Sequence, residues 1–192
     1  LLAPLTGAVA QNAEQQKNMA QMRVEEINKA GGIGGKDLVL KVYDTKLDPA
    51  AATQQAQRAI SQDHVAGLIG PYASAEALAV ADVVERAQVV DINNSAATNA
   101  ITSGKSYVFR TSPLTSDLTI GMMRTAKALG ETRGVLLYDN GGFGLGAKDP
   151  MAKAAEAEGV TLTDSIEYPL GAADVSAQVT AAAKSKPGAV FI

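Results

Sequence analysis

Apolar positions recur along this chain with two alternating periods. Ala13, Ala20, Val24 and Ile27 are spaced by seven, four and three residues, which sets them on one face of a helix over 13–30. Gly31-Gly32 follows, and glycine readily takes the left-handed backbone that closes a helix. Residues 38–43 are apolar and β-branched between Lys36-Asp37 and Asp44, the composition of a strand. Asp48-Pro49 joins a capping carboxylate to a proline suited to the first helical position, and predicts a helix over 50–62. The same reading predicts strands at 65–69, 88–92, 107–110, 135–138, 160–168 and 189–192, with helices at 75–87, 116–129, 146–158 and 175–184. Residues 93–106 read as a long polar loop.

Short apolar strands alternating with helices imply an α/β fold: a mostly parallel sheet with helices on both faces. Such sheets bind ligands at the carboxyl ends of their strands. The alternation is irregular at Thr111-Ser112-Pro113-Leu114-Thr115, a stretch suited to a crossover between two lobes. The expected division is an N-terminal lobe over 1–114 and the first part of a second lobe over 115–192. Leu1 to Gly7 reads like the end of a strand, without the basic and apolar regions of a signal peptide. Gly188 to Ile192 stops inside an apolar strand-like run. Truncation at both ends is the expectation.

Composition narrows the function classes. A hydrophobic share of 46% supports a packed core, and 17 basic against 20 acidic residues give no footprint for a polyanion, so nucleic acid is not an expected partner. No apolar run reaches the roughly 18 to 20 residues that span a bilayer, and a soluble chain is expected. Cysteine is absent, which removes thiolate metal sites and thiol nucleophiles. The single histidine, His64, cannot build a multi-histidine metal site and reads as a solvated residue at a helix end.

Two glycine-rich segments resemble nucleotide motifs and fail on inspection. In Ala30-Gly31-Gly32-Ile33-Gly34-Gly35-Lys36-Asp37, alanine replaces the first glycine of a P-loop, aspartate replaces its hydroxyl residue, and the order is helix to strand. Gly142-Phe143-Gly144-Leu145-Gly146-Ala147 fits G-x-G-x-x-A after a strand, but Asp149-Pro150 is expected to interrupt the helix that would receive a pyrophosphate. The expected structure there is a flexible strand-to-helix loop, with a nucleotide-dependent enzyme as the remote alternative. No G-x-S-x-G elbow occurs, and the paired Glu25-Glu26 belongs on a solvated helix face. The reading is a non-enzyme without cofactor or metal.

Several stretches occur together in order: Pro4-Leu5-Thr6-Gly7, Glu25 to Ile33 before Gly35-Lys36, Tyr43-Asp44 with Asp48-Pro49, Ile69 to Ser74, Asn94 to Thr98, and Phe109-Arg110-Thr111. In this the chain resembles the type I periplasmic solute-binding proteins of ABC transporters, in the branched-chain amino acid (Leu/Ile/Val) and amide-binding branch. The resemblance covers nearly the whole chain, while full members are roughly twice as long. It implies a two-lobed periplasmic-binding-protein type I fold, present here as a fragment, that captures an amino acid-like, amide or small carboxylate ligand in a cleft. By the same resemblance Ser74, with Tyr72 beside it, and the loop Ala96-Ala97-Thr98 hold the ligand's polar end, and Phe143 closes on it by apolar contact. Ser74 also suits a plain helix N-cap. Relatives often carry tyrosine where Phe143 stands, and some carry an aromatic residue at the first-lobe loop position of Asn12. The implied partner is a membrane permease that receives the closed form, and the implied state is a monomer, periplasmic or lipid-anchored outside the cell. A sensory domain of the same fold is the alternative.

Overall fold

The computed structural model describes residues 1–192 throughout. The chain forms two compact units, residues 1–96 with 101–112, and residues 97–100 with 113–192.

The first unit contains β1 (Leu2–Ala3), α1 (Ala10–Lys29), β2 (Tyr43–Asp44), α2 (Pro49–Ser61), β3 (Gly67–Ile69), α3 (Ser74–Ala87), β4 (Val90–Asn93) and β5 (Val108–Arg110). All pairings are parallel, β1 with β2 and, in a second ladder, β3-β4-β5. The two ladders approach where Gly70, at φ +100°, passes against the Leu2 carbonyl oxygen so closely that no Cβ fits. Helices α2 and α3 cover one face, burying Leu2, Leu68, Val80, Val84 and Val108. Each such side chain contributes about 1.5 to 3 kcal/mol by leaving water. On the other face Ala13 of α1 packs with Leu1 and Ala3, and Ala20 lies partly buried against them. Beyond α1 that face leaves Ile69, Val90, Ile92 and Phe109 exposed.

Local chemistry explains most boundaries. Asp48 caps α2 by accepting the Ala51 N–H at 2.6 Å, with Pro49 first in the helix. Helix α1 closes where the Gly32 N–H returns to the Ile27 carbonyl at 2.9 Å. His64 lies just beyond α2, exposed and at φ +48°. Three expectations shift. Of 38–43, only Tyr43 joins a ladder, opposite Leu2. Gln88 ends α3 in the left-handed conformation and does not open β4. The loop after β4 is partly ordered by a single 3₁₀ turn at Asn99–Ile101.

The second unit contains α4 (Thr115–Ala128), β6 (Arg133–Asp139), α5 (Gly142–Glu158), β7 (Thr161–Tyr168), α6 (Ser176–Lys184) and β8 (Ala189–Phe191), with parallel strand order β7-β6-β8. Helices α4 and α5 bury Leu136, Tyr138, Met151 and Phe191 on one face, and α6 places Ala182 against Val135 and Leu137 on the other. Residues 97–100 pack here, unlike a single cut after 114, because the Ala97 carbonyl accepts the Thr115 N–H at 2.9 Å and Thr98 bonds to Gly142. The expected loop at 142–145 is instead the first turn of α5, and Pro150 lies inside that helix without interrupting it. Proline removes one helical N–H, the bond that would have gone to Gly146, and the turns on either side retain theirs.

Candidate functional site

At the carboxyl end of β3 the ladder runs out: the Gly70 N–H still donates to the Ile92 carbonyl at 3.1 Å, and Pro71-Tyr72-Ala73 then leads into α3. Ser74 is 4% exposed and is the first helical residue rather than the cap. The cap position falls on Ala73, which has no side-chain acceptor, and Glu76 reaches back to accept the Ala73 N–H at 3.1 Å. The first N–H groups of α3 have no acceptor within the helix, and its dipole favours an anion at this end.

Glu76 itself is fully buried. Burial raises its carboxyl above the usual range, and nearby Asp48 and Asp44 push the same way, against the pull of the Thr45 hydroxyl and the Ala73 N–H. Asp44 goes in the opposite direction. Burial alone raises it, but hydrogen bonds from the Thr6 hydroxyl and from the Lys46 and Leu5 N–H groups outweigh that and hold it low. Those bonds, 2.8 to 2.9 Å long, fix the turn after β1 against the turn after β2.

Asn12 and Tyr72 are brought together: the Asn12 Nδ2 donates to the Tyr72 hydroxyl at 3.1 Å. Asn12 lies in the first turn of α1 rather than in a loop.

Strand β4 inverts the ordinary alternation. Its apolar Val90 and Ile92 are exposed while Asp91 and Asn93 are buried, at 1% and 0% exposure. Asn93 donates from Nδ2 to the Pro71 carbonyl at 2.8 Å, and its Oδ1 accepts the N–H groups of Ser95 at 3.2 Å and Ala96 at 2.8 Å. The Ala96 carbonyl accepts the Ser112 hydroxyl at 2.8 Å. The backbone of Ala96 is thereby fixed. Asn93, Asp44 and Glu76 are absent from the site expected from sequence. The available signal was the two polar residues at alternate positions of an otherwise apolar strand.

In the second unit Thr98 is buried and its Oγ1 donates to the Gly142 carbonyl at 3.0 Å, at the start of α5. In this structure its hydroxyl proton is engaged by that carbonyl. Phe143 is the second residue of α5 and 45% exposed. Its ring borders an apolar cavity of about 200 Å³ with Leu118, Met122, Tyr138, Met151 and Tyr168. The Lys148 Nζ stands 5.4 Å from the centroid of the Tyr138 ring. No three His, Cys, Asp or Glu side chains gather as a metal ligand set, and no helix is long and apolar enough to cross a membrane.

Parallel α/β units with ordered polar loops at the carboxyl ends of their strands define a small-molecule-binding class of fold. This chain belongs to the periplasmic binding protein family, whose sequence profile it matches over residues 1–192. It is 31% identical over 159 residues to the Leu/Ile/Val-binding protein BraC3 of Rhizobium johnstonii, covering 82% of this chain and 43% of that protein. It is 38% identical over 112 residues to the leucine-, isoleucine-, valine-, threonine- and alanine-binding protein of Pseudomonas aeruginosa, covering 58% of this chain and 30% of that one. A solute-binding protein of an ABC transporter from Rhodopseudomonas palustris, solved with 3,4-dihydroxybenzoic acid, superposes with a TM-score of 0.88 at 25% identity, over 99% of this chain and 52% of its own. A leucine-binding protein from Thermotoga maritima gives 0.90 at 24% identity, over 98% and 53%. The chain thus spans about half the length of these solved structures, whose fold is the two-lobed periplasmic-binding type.

Proposed function

We propose that this chain is the N-terminal lobe and part of the second lobe, with their boundary near residue 114, of a solute-binding protein that serves an ABC importer. Its ligand is a small amino acid-like or carboxylate molecule. The observation that carries this reading is the pair of ordered loops at the carboxyl ends of β3 and β4, one of which opens α3 at Ser74. Ser74 and the 94–96 loop supply hydroxyl and backbone donors to an anionic group, with Tyr72 and Asn12 at the margin. The second unit supplies the apolar contact of Phe143, on a helix whose first carbonyl, at Gly142, accepts the Thr98 hydroxyl. The protein acts without catalysis, as a monomer outside the cytoplasm, periplasmic or lipid-anchored, and delivers its ligand to a membrane permease.

A thermal-shift screen of the full-length protein against aliphatic amino acids, small amides, hydroxybenzoates and dinucleotides tests this. Ligand at about 100 times its dissociation constant stabilises by roughly 2.7 kcal/mol. A shift with an amino acid or carboxylate supports the reading, and a shift with dinucleotides alone overturns it. Phe143→Ala is expected to weaken binding of the responding compound about tenfold in titration calorimetry, through lost apolar contact. Equal affinity with and without the ring removes Phe143 from the site.

A further inference from the structure

We propose that Asn93 is the positioning residue of the first unit's ligand loops, an inference that rests on the reading above. The β3-β4 ladder ends at Ile69 and Ile92, and the β4-β5 ladder at Asn93 and Arg110. Past those points only the Gly70 N–H to the Ile92 carbonyl and the Thr111 N–H to the Asn93 carbonyl continue the pairing. The buried Asn93 side chain takes over from the ladder, binding the Pro71 carbonyl on one side and the Ser95 and Ala96 N–H groups on the other. One residue thus ties the loop that leads to Ser74 to the loop that leads to Ala96.

The task demands an amide. A carbonyl faces Nδ2 and two N–H groups face Oδ1, so the side chain must donate at one end and accept at the other, and only one orientation of the amide satisfies all three bonds. Aspartate offers acceptors alone. Leucine has almost the same shape and offers neither. With leucine the backbone partners lose their bonds inside a buried site, where water does not readily replace them. The loops then sample several arrangements before ligand arrives, and ordering them on binding weakens affinity.

Asn93 need not touch the ligand, and its influence is on where the contacting groups stand. The test uses the full-length protein with Asn93→Leu, and Asn93→Ala as a second variant should the first not fold. Binding of L-leucine and of 3,4-dihydroxybenzoate is measured by calorimetry alongside amide hydrogen exchange. Expected results are about tenfold weaker binding of whichever probe the wild type takes, and faster exchange at Ser95 and Ala96. The amide of Asp91, bonded to the Tyr107 carbonyl at 2.8 Å, should keep its protection. Wild-type affinity in a folded variant overturns the proposal, as does unchanged exchange at Ser95 and Ala96. Loss of protection at Asp91 as well points to general destabilisation and also overturns it. Failure of the wild type to bind either probe counts against those ligand classes, and the exchange data then decide the role of Asn93 on their own.

Discussion

Asp91→Asn raises the stability of the protein at pH 8, by up to about 4 kcal/mol. Asp91 lies on the buried face of β4 at 1% exposure, and its Oδ1 has no hydrogen-bond partner. Burial lifts its carboxyl from 3.8 to about 7. That separation of about three pH units, at about 1.4 kcal/mol each, sets the size of the effect. The sign follows from proton release. As pH rises from 4 to 7 the unfolded chain loses the Asp91 proton while the folded chain keeps it, so stability falls across that window and levels off above it. Asparagine carries no charge to bury and removes the slope. Urea unfolding of both forms at each pH isolates this group, since every other titrating group is common to both. The difference should be near zero at pH 4 and full above pH 7. A difference independent of pH would show that Asp91 ionises in the fold as easily as in water.

Gly144→Ala is expected to prevent normal packing of the second unit, with a loss of at least about 3 kcal/mol. A Cβ at Gly144 lands on the backbone of Asp139 at the end of β6, closest to its carbonyl oxygen. Backbone at a strand end cannot move aside as a flexible side chain would, so α5 must shift as a body. Gly121→Ala is the matched control. It sits in α4 with open space where the methyl would go, and alanine there should stabilise by about 1 kcal/mol through helix propensity. Chemical unfolding of the two variants should move in opposite directions. A mild effect at Gly144 comparable to the control would mean that α5 does not seat on Asp139 as described.

The same glycine shows how far the sequence could be followed. Gly142, Gly144 and Ala147 match a dinucleotide fingerprint in spacing, yet in this fold Gly144 serves the contact between α5 and β6. Spacing alone does not distinguish a glycine that admits a phosphate from one that admits a neighbouring strand. The helices and strands were largely legible, because periodicity and caps such as Asp48-Pro49 act within a few residues of the chain. The family was legible too, through the order of the motifs from Pro4 to Thr111, and the profile match over 1–192 agrees with it.

What the chain by itself could not assign was which polar groups meet. Asn12 finds Tyr72 sixty residues away, Thr98 finds Gly142 forty-four residues away, and Asn93 reaches back twenty-two residues to Pro71. The last of these follows from the parallel β3-β4 register, whereas the first two join segments that belong to different sheets. Asp91 and Asn93 illustrate the same division. Their polarity at alternate positions of β4 was visible in the sequence, but only the packing of α2 and α3 made their face the buried one. Local hydrophobic periodicity fixed the elements, whereas the burial and partners of the polar groups were decided by tertiary contact, since a side chain's cost or value depends on what replaces its water.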